Sequence, residues 1–73
     1  MTKQEVVAIG KQAIEARFPG STKGHTFGAF IITDGYWAVF IPHQDRPNPL
    51  GGGQPVAEVR DRDGKVVKVY RAK

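Results

Sequence analysis

The chain has no cysteine. That absence excludes disulfides, thiolate nucleophiles, zinc ribbons and dithiol redox motifs. It also leaves a small core without covalent staples. No stretch reaches the ~18 apolar residues of a membrane span. The opening MTKQEVVAIG has too short an apolar run, followed at once by Lys11 and Gln12, to read as a signal peptide. The expectation is a cytoplasmic protein with no membrane partner.

Catalytic groups are equally scarce. Ser21 is the only serine and no G-x-S-x-G elbow surrounds it. His25 stands alone in a polar connector, while His43 and Asp45 form an HxD in a loop. Such a pair can hold a metal or orient a base, yet no third ligand lies at a recognisable spacing, so a polar loop is the plainer reading. Asp61 and Asp63 belong to a turn rather than to an acid–base pair. Gly51-Gly52-Gly53 lacks the following Lys-Ser/Thr and the helix that a phosphate loop requires. The expectation is therefore no enzyme, no catalytic residue, no metal and no cofactor.

What is present fits one domain over residues 1–73. A domain of this length buries only about 60% of the surface its unfolded chain exposes. The net charge of +4 is uneven: residues 56–73 carry six bases and three acids, and residues 25–55 carry one base and two acids. A basic end can meet nucleic acid, an anionic surface or an acidic protein. Mixed acids dilute this one, and a solvated strand face is the simpler account.

Thr2 and Glu5 form a capping-box signature. Val6, Ile9, Gly10, Ala13, Ile14 and Phe18 then share one side at 3.6 residues per turn, and Pro19-Gly20 stops the run. A helix over about residues 3–18 is predicted. Gly10, inside the apolar stripe, costs about 1 kcal/mol against alanine. Close approach of helix to sheet would compensate, and a tolerated defect is the alternative.

Thr26–Thr33 and Tyr36–Ile41 are rich in aromatic and β-branched residues, with Asp34-Gly35 between them. That pair predicts a type I′ hairpin, which needs φ > 0 at both central residues. The two-residue turn sets Ile32 against Trp37, Ile31 against Ala38 and Phe30 against Val39. One face then holds Phe30, Ile32, Trp37, Val39 and Ile41; the other holds Phe27, Ala29, Ile31, Tyr36, Ala38 and Phe40. Both are apolar, and one helix can cover only one of them.

Pro42–Pro55 holds four of the five prolines and three consecutive glycines. A loop this long tends to be functional or mobile, and residues 43–54 are predicted to be the most mobile segment. Val56–Arg60 and Lys65–Tyr70 form a second hairpin. A three-residue loop, Arg62-Asp63-Gly64 with Gly64 left-handed, would put Ala57, Val59, Val67 and Val69 on one face and Glu58, Arg60, Val66, Lys68 and Tyr70 on the other.

These elements predict an α+β fold: one N-terminal helix on a four-stranded antiparallel sheet of two hairpins. The expected core is Val6, Gly10, Ile14, Phe30, Ile32, Trp37, Val39, Val59, Val67 and Val69. Phe27, Ile31, Tyr36 and Phe40 should form an exposed apolar strip, more than a monomer usually tolerates. With Arg46 at its rim, that strip is the predicted partner-binding site, for another protein or a second copy.

The order helix, hairpin, Pro/Gly-rich loop, hairpin carries W-A-V at Trp37–Val39, Pro42, Gly52-Gly53 and D-G-K-V at Asp63–Val66. Over roughly residues 5–70 it resembles small bacterial immunity proteins with a nuclear-transport-factor-like (cystatin-like) fold. PepSY-like domains, which share a helix-on-sheet layout, are the second resemblance. The first implies an inhibitor-type protein that binds and neutralises a toxin or other bacterial effector by contact. The chain lacks the extra helices that close a full cone, which counts against an enclosed ligand pocket. The alternative function is a small ligand- or nucleic-acid-binding module using the basic C-terminal hairpin. Its only exposed aromatic candidate is Tyr70, whereas single-strand platforms interleave several aromatics with Lys and Arg.

Overall fold

The computed structural model describes residues 1–42 and 54–72. His43, Asp45, Arg46 and the predicted mobility of residues 43–54 lie outside or almost wholly outside that range. Helix α1 spans Lys3–Arg17, and strands β1 Gly28–Thr33, β2 Tyr36–Phe40, β3 Gln54–Arg60 and β4 Val66–Ala72 follow. The four strands form one antiparallel sheet in the order β1-β2-β3-β4. The helix packs on one face, chiefly against β3.

The helix starts and stops where its sequence directs. The Thr2 hydroxyl accepts from the Glu5 amide at 3.1 Å, and the Glu5 carboxylate accepts from the Thr2 amide at 2.8 Å. Two orphan donors are thereby satisfied. At the other end Phe18 caps the helix, its N–H donating to the Ile14 carbonyl at 2.7 Å. The Glu15 carboxylate then accepts from the Gly20 amide at 2.6 Å and from the Thr22 hydroxyl at 2.6 Å. The polar connector is thus pinned back on the helix, with Thr22 buried.

Val6, Gly10 and Ile14 are the buried helical residues. They meet Phe27, Ala29, Val39, Ile41, Ala57 and Val59, with Ile9, Phe18, Trp37, Val66 and Val69 packed around them. The reason for Gly10 is visible here. A Cβ at that position would lie under 3.0 Å from the Val39 side chain, itself fully buried. The helix backbone passes directly over Val39, and only hydrogen leaves room.

Two bulges correct the predicted faces. Asp34 keeps a negative φ and only Gly35 is positive, at 85°, so the type I′ turn does not form. Thr33 pairs with Tyr36 as the short turn requires, but Ile31 pairs with Trp37, leaving Ile32 as an extra residue. Beyond it every β1 side chain changes face. Phe27 and Ala29 therefore enter the core, while Phe30 and Ile32, predicted to be core, are 51% and 40% exposed.

The second hairpin repeats the effect on a smaller scale. Gly64 is left-handed as predicted, with φ 71°. The connection is longer than three residues: Arg60 N–H donates to the Lys65 carbonyl and Gly64 N–H to the Arg60 carbonyl, each at 2.8 Å. Ala57 pairs with Val69 and Glu58 with Lys68, but Val59 pairs with Val66, so Val67 is the extra residue. Val66 turns inward and half-buries, and Val67 is 42% exposed.

Candidate functional site

The face of the sheet away from the helix is built row by row from the strand register. Gly28, Phe40, Val56 and Tyr70 form one row, and Phe30, Ala38, Glu58 and Lys68 the next. Tyr36 and Arg60 pair in a third. Apolar side chains lie towards β1 and β2, and charged ones towards β3 and β4.

The apolar half has a defined geometry. The Phe30 and Phe40 rings meet edge to face, centroids 5.2 Å apart at 73°. A Cβ on Gly28 would touch the Phe40 ring at 3.4 Å and Pro42 at 3.6 Å. The Phe40 ring thus lies beside the glycine at ordinary contact distance. Ala38 and Val56 beneath are buried, at 5% and 8% exposure.

The polar half is internally paired. Lys68 Nζ sits 4.9 Å from the centroid of the Tyr70 ring, a cation–π contact. Partial burial, followed by the neighbouring Glu58 carboxylate, raises the Tyr70 hydroxyl above its ordinary pKa. Arg60 is held in a fork by Asp63, Nε to Oδ1 at 3.0 Å and Nη2 to Oδ2 at 2.7 Å. That pairing, aided by the Lys65 amide, keeps Asp63 well below the usual carboxylate range.

Below Tyr36, a polar cleft of about 270 Å³ lies between the two turns, lined by Asp34, Gly35, Tyr36, Arg60, Asp61 and Arg62. Asp61 joins its walls: its N–H donates to the Gly35 carbonyl at 2.8 Å, and its Oδ1 accepts from Trp37 Nε1 at 2.8 Å. The indole bond lowers the Asp61 pKa, and the N-terminal ammonium 3.4 Å away adds to the effect.

The predicted strip is only partly assembled. Tyr36 and Phe40 stand on the open face, both half-buried. Phe27 does not join them, because the Ile32 bulge turns it into the core. Ile31 is exposed at 59% but opposes Trp37, on the helix side of the edge strand. Arg46 lies outside the described residues. Phe30 and Tyr70 complete the aromatic set, and the basic side chains share its face instead of standing apart. The signal that would have placed Phe30 is the bulge, and no residue in β1 announces it: Phe27-x-Ala29-x-Ile31 and Phe30-x-Ile32 are both apolar.

Among the described residues no group of three or more His, Cys, Asp or Glu is placed to hold a metal. No described helix is long and apolar enough to cross a membrane. Compared with known proteins, the chain matches no family model, no curated protein and no solved structure.

Proposed function

We propose that the protein acts by stoichiometric, non-catalytic binding of another protein through the open face of its sheet. The observation that carries this reading is the Phe30–Phe40 pair with Tyr36 beside it, on the sheet face opposite α1, with Phe30 half exposed. Interfaces use aromatic side chains of this kind as anchors, surrounded by polar rims. Phe40 and Tyr36 are the anchors, Phe30 their neighbour, and Arg60 and Lys68 the rim. The resemblance to immunity proteins suggests a toxin or other bacterial effector as the partner class.

A second reading rests on a different feature of the same face. Tyr70, Lys68 and Arg60 adjoin the aromatic half, and aromatics interleaved with bases suit single-stranded nucleic acid. Against it, Glu58 sits in the middle row and Arg60 is already engaged by Asp63.

Photo-crosslinking from position 40 tests the proposal. A protein crosslinked about one to one, lost with Tyr36→Ala and retained between 0.1 and 0.5 M salt, is the expected result. Crosslinking to nucleic acid with a steep loss in salt would favour the second reading. A crosslink unaffected by alanine at Tyr36 and Phe30 would remove the face from consideration.

A further inference from the structure

We propose that the protein forms a two-fold dimer in which β1 of one copy pairs antiparallel with β1 of a second, joining the two open faces into one surface. The pairing rests on the edge strand alone. That the joined surface is the binding site rests on the function proposed above.

Strand β1 is an edge of the sheet, bonded among the described residues to β2 alone. Its sequence GAFIIT carries no charge and no proline, and Phe30, Ile31 and Ile32 are exposed in succession at 51%, 59% and 40%. Free edges are normally guarded by charge, proline or bulges. The other edge follows that rule, with Lys68, Arg71 and the Val67 bulge in β4. In β1 the bulge guards only the Ile32 end, and Gly28–Ile31 stays regular.

A second copy is the occupant that this edge fits. The chain carries a net charge of +4, so two copies meet best along a strand without charge. Pairing β4 with β4 would bring together two strands that each carry Lys68 and Arg71, adding like charge at the seam, which opposes association. Pairing β1 with β4 of another copy would leave a free edge at each end and propagate, whereas β1 with β1 closes.

The strand is also self-complementary. Because side chains alternate, keeping the open face on one side requires the two-fold axis to pass through a residue position. At Phe30, that residue meets Phe30 of the second copy on the open face, and Ile31 falls opposite Ala29 on the helix side. A large exposed side chain is thus matched with a small one. Phe30 already packs against Phe40, so the joined sheet carries a cluster of four rings at its centre. Tyr70, Lys68 and Arg60 flank it at both ends.

Sedimentation equilibrium across the micromolar range, combined with amide exchange at high and low concentration, tests the pairing. The wild type is expected at twice its 8.0 kDa chain mass, with β1 amides exchanging at least tenfold more slowly at the higher concentration. Ile31→Lys, folded by circular dichroism, should be monomeric. Val67→Lys, at the opposite edge, should remain dimeric. A wild-type monomer at 100 µM, or a dimer whose β1 amides do not respond to concentration, would overturn the pairing. The two proposals fail separately. A monomeric Ile31→Lys that photo-crosslinks from position 40 as well as wild type removes the joined surface and leaves the single-face reading. A dimer whose crosslinking ignores Tyr36 and Phe30 removes the binding face and leaves the dimer.

Discussion

At Gly10 a single missing methyl sets the distance between the layers. Alanine would gain about 1 kcal/mol of helix propensity. It would also force the Val39 side chain, fully buried beneath it, to move. Overpacking typically costs about 1–3 kcal/mol, so Gly10→Ala should be net destabilising by up to about 2 kcal/mol in urea unfolding. Adding Val39→Ala should recover part of the loss, and equal stability of Gly10→Ala and wild type would show that the contact yields. Asp61 is the other residue whose role is narrow and checkable. Its carboxylate fixes the Trp37 indole while its amide ties one turn to the other. Asp61→Ala should lower the melting temperature and change the near-ultraviolet signal of Trp37. Asp61→Asn, which keeps an acceptor oxygen, should do so less.

At the level of elements, two unpaired residues decide which side chains face the helix. Val66 half-buries and Val67 stays exposed. Val66→Lys should therefore cost more than 1 kcal/mol, and Val67→Lys less than about 0.5. Likewise Phe27→Ala should cost about 3–5 kcal/mol as a core truncation, and Phe30→Ala far less; the reverse order would mean that β1 lacks its bulge in solution. The helix, its cap, both hairpins and the faces of β2 were legible in the sequence because each had one dominant signal: the Thr2–Glu5 box, the 3.6-residue stripe, Asp34-Gly35 and Asp63-Gly64. The faces of β1 were not. With Phe27, Ala29 and Ile31 on one side and Phe30 and Ile32 on the other, hydrophobic patterning fits either register, and only the bulge at Ile32 chooses. In β4 the pairs Ala57–Val69 and Glu58–Lys68 were legible, while Val66 and Val67 are chemically identical and give patterning nothing to separate. For the site, Tyr36 and Phe40 were legible as part of β2, and Phe30 was lost with the register of its strand.

Across the whole molecule, carboxylates fasten the joints between elements. Glu5 closes the helix start, Glu15 binds the connector to the helix, Asp61 locks Trp37 and Asp63 clamps Arg60 in the second turn. Each has its pKa lowered, chiefly by Thr2 for Glu5, Thr22 for Glu15, Trp37 for Asp61 and Arg60 for Asp63. A carboxylate whose folded pKa lies below its unfolded value stabilises the fold fully above the unfolded value, about 4. That contribution is lost as the pH falls through the folded pKa. Because all four are shifted the same way, their losses add rather than cancel. Acid also removes negative charge from a chain that already carries +4, which increases self-repulsion. The melting temperature should therefore be nearly flat from about pH 7 to pH 5.5 and fall steadily below about pH 4. Thermal melts by circular dichroism between pH 7 and pH 2 would show it. Asp63→Asn, which cannot titrate and lacks the charge that holds Arg60, should melt lower than wild type at pH 7 and approach it by pH 2. Parallel curves for the two proteins over that range would mean that the Arg60–Asp63 clamp contributes nothing to the acid response.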